Sequence, residues 1–107
     1  MKRGDLVVVS MSGDYGKMQP AVVIQHDQVN ATHASVVVCP LSSHLVDAPL
    51  FRISVDPSPE NGLETASQVM IDKISAVRRD RLRDVIGRLD DAVMVQVNRS
   101  LALWLGL

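Results

Sequence analysis

The chain is nearly without aromatic residues: one Phe, one Tyr and one Trp among 107 positions. Sheets and barrels that bind single-stranded RNA stack unpaired bases on aromatic faces. Binders of those kinds are therefore disfavoured, and the core has to be built from Val, Leu, Ile, Met and Ala. Cysteine is as scarce. A single Cys39 excludes an intrachain disulfide and a cysteine-built zinc site, and its place in the apolar run 36–39 predicts a buried, unreactive thiol. An excess of one charge is also missing, since 11 Lys and Arg stand against 12 Asp and Glu. Any contact with nucleic acid must then use a local patch instead of a global field. No stretch approaches the ~18 consecutive apolar residues of a membrane span, and the N-terminus has no signal-like apolar segment. These absences predict a soluble, cytoplasmic protein with no membrane partner.

What is present is a hydrophobic fraction of 47%, enough for one domain over residues 1–107 with one core. Residues 5–9 and 21–25 read as short β-branched strands, with Pro20 at the start of the second, where its missing N–H is tolerated. A third strand is predicted over 34–39, ended by Pro40. Phe51, Ile53 and Val55 alternate with Arg52 and Ser54, the period of a half-exposed strand. Residues 56–62 are dense in turn formers and predict a surface loop. A fifth strand is expected over 67–74, and 81–87 is compatible with either a short helix or a connecting turn.

The period changes in the last third. Leu89, Val93, Val97, Leu101 and Trp104/Leu105 recur every three or four residues, marking one face of a helix. Asp90 or Asp91 would cap its start and Gly106 would end it. Five strands and one long helix predict an α+β domain, a small and strongly curved antiparallel sheet or SH3-like barrel with a C-terminal helix. Ala92, Val93, Met94, Val95 and Val97 spread apolar surface around more than one side of that helix, which predicts a homodimer.

Three groups invite chemical readings. Ser42 and Ser43 precede His44, but adjacent residues rarely converge on one point, and no acid stands nearby to orient the ring, so a serine hydrolase is not expected. His26 and His33 lack metal-site spacing and read as surface loop residues. The run 78–83 holds four arginines in six positions. It is either a solvated connector partly neutralised by Asp80 and Asp84, or a basic patch for RNA or an acidic protein tail.

A longer pattern carries more information. Met1-Lys2-Arg3-Gly4-Asp5-Leu6-Val7-Val8-Val9 is followed by Gly13-Asp14-Tyr15-Gly16-Lys17-Met18-Gln19-Pro20 and a second apolar run. Val38-Cys39-Pro40-Leu41-Ser42-Ser43, then Thr65 to Lys73, then Ile86-Gly87-Arg88-Leu89 complete the series. In order and spacing this resembles the MazF/PemK family, the toxins of bacterial toxin–antitoxin pairs. The resemblance implies an endoribonuclease that cuts single-stranded RNA without a metal or other cofactor, leaving a 2′,3′-cyclic phosphate, and a cognate antitoxin as partner. Such chemistry needs a base for the 2′-OH proton, an acid for the leaving oxygen, and donors on the phosphorane. The family's catalytic arginine falls on Gln19 here. Ser42 keeps the phosphate-holding hydroxyl, and Lys17 is the candidate substitute cation. Tyr15, Ser43, Phe51, Thr65, Ser67 and Gln68 are the expected substrate-binding residues. Losing the arginine implies one of three outcomes: a nuclease in which Lys17 takes over the cationic role, an attenuated nuclease, or a catalytically inactive protein that still binds its antitoxin. A second resemblance is confined to the end, where Leu103-Trp104-Leu105-Gly106-Leu107 is similar to the Trp-Gly-Ile terminus of the gyrase poison CcdB. It offers DNA gyrase as an alternative partner, while Trp104 is expected to fill the helix–sheet core.

Overall fold

The computed structural model describes residues 1–10 and 17–107. Seven strands and two helices follow in order: β1 (Asp5–Ser10), β2 (Met18–Val23), α1 (Asp27–Asn30), β3 (Ser35–Ser42), β4 (Arg52–Val55), β5 (Ser67–Met70), β6 (Ser75–Arg78), β7 (Leu82–Arg88) and α2 (Asp91–Leu105). All strand pairings are antiparallel, in the order β4-β5-β3-β2-β1-β7, with β6 also paired to β3. No ladder among the described residues joins the two ends, so of the two predicted forms the curved open sheet is the one adopted.

Both faces of the central strands are covered, which is why β1, β2 and β3 read as continuous apolar runs instead of alternating ones. Leu6, Val22, Cys39, Leu41, Val69 and Ile71 form one buried cluster with Met94, Val97 and Leu101 of α2. Val7, Val9, Ala21, Val23, Val36, Val38 and Val77 form a second cluster on the opposite face, where β6 folds over. Cys39 is fully buried, as expected, and its thiol is pushed up to about 12, first by that burial and then by the nearby Asp72 carboxylate.

Three elements differ from the sequence-based expectation. The predicted fifth strand is two: β5 ends at Met70, a 3-10 turn covers Ile71–Lys73, and β6 begins at Ser75. Residues 82–88, expected as helix or turn, form a strand on β1, with register shifts after Leu6 and after Val7 that bend the pair. β3 runs through Pro40 to Ser42. Val37 gives its carbonyl to Ile24 N–H on the β2 side, so strand alternation turns the Pro40 nitrogen to the other edge. There β3 changes neighbour, from β6 up to Val38 to β5 from Leu41, and no ladder bond is asked of the proline.

α2 starts on the Asp90 side chain, which accepts from Val93 N–H at 2.8 Å, and ends at Gly106 with φ 73°. Its buried stripe is Met94, Val97, Ser100 and Leu101, and it runs out in the last turn. Trp104 is 46% exposed, with its ring on Phe51 at a centroid distance of 5.3 Å. The expected core position for Trp104 is thus not adopted, because the end of the helix overhangs the sheet. Leu103, Leu105 and Leu107 stay exposed with it. No helix among the described residues is long and apolar enough to cross a membrane.

Candidate active site

Two prolines open the sheet. The β2–β3 ladder runs Val23↔Val38, Val22↔Cys39, Ala21↔Pro40 and stops. Ile24 donates toward β3, so alternation turns the Pro20 nitrogen to that side as well, where it has no hydrogen to offer. The ladder ends there, and the strands part. The resulting cavity, about 520 Å³, is lined by Lys17, Gln19 and Pro20 on one side and by Leu41, Ser42 and Ser43 on the other. Gly62 to Thr65, Ser67 and Met70 close it.

Six of the nine candidates share this cavity: Lys17, Gln19, Ser42, Ser43, Thr65 and Ser67. Lys17 and Ser43 are exposed and Gln19 is half-buried, opposite Val9 of β1. Ser42 Oγ accepts from the backbone N–H of His44 at 3.0 Å, a turn that engages the His44 backbone and not its ring. Ser67 is buried and its hydroxyl donates to the Thr65 carbonyl at 3.0 Å, fixing the corner of the wall.

Two candidates lie elsewhere. Gln68 is buried and grips Val46 from both ends, accepting from its N–H at 3.0 Å and donating to its carbonyl at 2.9 Å. It anchors the segment that follows the serines. Phe51 packs on the core and against Trp104. Tyr15 falls outside the described residues.

Within the arginine run, Arg79 is tied to backbone carbonyls while Arg78 and Arg83 stay exposed. Arg78 pairs with Asp80, and Arg83 donates to the Asp80 carbonyl at 3.0 Å. Arg79 donates to the carbonyls of Asn30 and His33, the latter at 3.1 and 2.9 Å, and so closes the segment after α1. His26 caps α1, its Nδ1 accepting from Gln28 N–H at 3.1 Å, and His33 is bonded to Ser35; both are exposed, as expected of loop residues. No three His, Cys, Asp or Glu side chains gather as a metal site among the described residues.

Sequence reasoning passed over Glu64, which also lines the cavity. Its only local signal is the turn pair Asn61-Gly62 just before it.

An open antiparallel sheet under one C-terminal helix, with a cleft of hydroxyls, one ammonium and one carboxylate where two strands part, defines a small α+β protein with a polar cavity at the sheet's opening. The family follows from the whole chain. Residues 2–105 match the model of the PemK-like, MazF-like toxins of type II toxin–antitoxin systems, and the chain belongs to that family. It is 44% identical to the probable endoribonuclease MazF of Mycolicibacterium smegmatis over 100% of this chain and 98% of the relative. It is 29% identical to the endoribonuclease EndoA of Bacillus subtilis, covering 100% and 96%. Among solved structures it resembles a mycobacterial endoribonuclease in complex with its cognate antitoxin, with a TM-score of 0.81 and 25% identity over 100% of this chain and 96% of that one. The full-length match favours the MazF/PemK resemblance over the terminal CcdB-like one, and the gyrase reading is not carried further.

Proposed function

We propose that this chain is an endoribonuclease toxin that cuts single-stranded RNA in the cavity between β2 and β3, by attack of a ribose 2′-OH on the adjacent phosphate. The observation that carries this reading is the meeting of Lys17 and Gln19, at the start of β2, with Ser42 and Ser43, at the end of β3, in a chain of this family. The serine hydroxyls hold phosphate oxygens, and Lys17 provides positive charge as the phosphorane forms. No step calls for a metal. Gln19 offers an amide where the family has a guanidinium, so the reaction is slowed. A cognate antitoxin restrains the toxin, in keeping with the antitoxin complex of the mycobacterial relative. The exposed Leu103, Trp104 and Leu105 are apolar surface for a second copy of the chain, making a homodimer.

The test compares the parent chain with Gln19→Arg on single-stranded RNA in the presence of a chelator. Both are expected to leave 2′,3′-cyclic phosphate ends, with cleavage by the variant ~100-fold faster. Folded preparations of both chains that fail to cleave RNA would remove the nuclease reading and leave a binding role.

A further inference from the structure

The cleavage step needs an acceptor for the 2′-OH proton, and none of the nine site candidates drawn from the sequence is a carboxylate or an imidazole. Among the described residues lining the cavity, Glu64 is the one carboxylate, and Lys17 is the only other charged group. Glu64 also follows directly on a loop held by several hydrogen bonds. Asn61, three residues upstream, is 5% exposed and both polar atoms of its side chain are hydrogen-bonded. Its Oδ1 accepts from Ser58 N–H at 3.0 Å and from Leu63 N–H at 2.9 Å, while its Nδ2 donates to the Asp56 carbonyl at 2.8 Å.

The loop is then pressed onto β7. Arg88 N–H donates to the Glu60 carbonyl at 2.9 Å. A Cβ on Gly87 would lie 2.3 Å from the Asn61 carbonyl carbon, and one on Gly62, at φ 69°, would lie 2.2 Å from the Ile86 carbonyl oxygen. Only glycine at both positions allows this approach of two backbones. Such a fit costs conformational freedom and fixes the backbone up to Leu63, the residue before Glu64. Rigid support of this kind serves a group whose position matters.

We propose that Glu64 is the general base of the cleavage and that Asn61 is its positioning residue; the inference rests on the RNA-cleavage reading above. The Glu64 carboxylate takes the proton of the 2′-OH, the freed oxygen bonds to the adjacent phosphorus, and the bond from phosphorus to the 5′-oxygen breaks. The leaving oxygen takes a proton from the Lys17 ammonium, so that the cyclic phosphate and the 5′-hydroxyl form with the protons balanced. Exchange with water then restores both side chains.

The test measures kcat and KM on single-stranded RNA for the parent chain, Glu64→Gln, Asn61→Ala, Asn61→Asp and the double variant Asn61→Ala/Glu64→Gln, with thermal melting of each. Glu64→Gln, an exposed substitution, is expected to melt like the parent and to lose ~100-fold or more in kcat with KM little changed. Asn61→Ala loses ~10-fold or more in kcat, and Asn61→Asp, which keeps the acceptor oxygen, recovers part of it. The double variant is no slower than Glu64→Gln alone, because misplacing a base that is gone has no further effect. A Glu64→Gln chain with parental kcat overturns the proposal. So do additive losses in the double variant, or an Asn61→Asp chain no better than Asn61→Ala. A parent chain that cleaves no RNA fails at the earlier step, removing the nuclease reading and this inference together.

Discussion

Arg52 and Asp72 meet in a two-pronged ion pair, Nε on Oδ1 at 2.8 Å and Nη2 on Oδ2 at 3.0 Å. Their side chains are only 14% and 19% exposed. The pair joins the first residue of the edge strand β4 to the 3-10 turn that separates β5 from β6, beside the bond from Ile71 N–H to the Phe51 carbonyl. An edge strand has one neighbour, so a second attachment matters to it more than to a central strand.

That geometry fixes a pH dependence. Hydrogen bonds from the Arg52 guanidinium hold the Asp72 carboxyl below its ordinary value of 3.8. A carboxylate with a lowered folded-state pKa contributes stability that is full above 3.8 and is lost as pH falls through the folded-state value. Replacing Arg52 by Ala is expected to cost about 2 kcal/mol at neutral pH. Urea unfolding over a pH series checks this: the gap between parent and variant should narrow as Asp72 takes up its proton. A gap that stays constant into acid would mean that packing of the Arg52 stem, and not the pair, supplies the stability.

Cys39 makes the opposite kind of prediction, one of inertness. With the thiol fully buried and its pKa near 12, the thiolate is absent at neutral pH and reagents have no path to it. Iodoacetamide is expected to leave the native chain unmodified and to alkylate it once urea unfolds it, as read by mass spectrometry. Labelling of the folded protein at the rate of a free thiol would contradict the burial of the β3 centre.

Cys39 was legible in the sequence because its signal is local, a thiol inside an apolar run. The same holds for the Asp90 cap, the Gly106 stop and the strand character of residues 5–9. Other features depend on pairing between distant segments, which no local pattern carries. The strand at 82–88 is polar on much of its surface and earns its conformation from β1. Pro40 looked like a terminator, and only the change of neighbour from β6 to β5 explains its place inside a strand. In the site, the family pattern located the two walls with the serines and Gln19. It missed Glu64, which is brought there by a loop docking on Gly87. Phe51 and Gln68 have residue types suited to RNA, yet packing and a backbone clasp occupy them.

The basic residues separate in the same way, and salt dependence exposes the difference. Lys17 is exposed at the cavity, whereas Arg79 has its guanidinium on the carbonyls of Asn30 and His33. Each phosphate neutralised on a single strand adds ~0.7 to the slope of log affinity against log salt. Lys17→Ala should therefore flatten that slope by ~0.7 for a single-stranded RNA while leaving thermal stability near parental. Arg79→Ala should leave the slope alone and cost about 1 kcal/mol in stability, because it strips donors from the part-buried Asn30 carbonyl and the exposed His33 carbonyl. Fluorescence anisotropy across a salt series, with urea unfolding of the same preparations, measures both quantities. A flattened slope from Arg79→Ala at parental stability would place Arg79 on the RNA-binding surface.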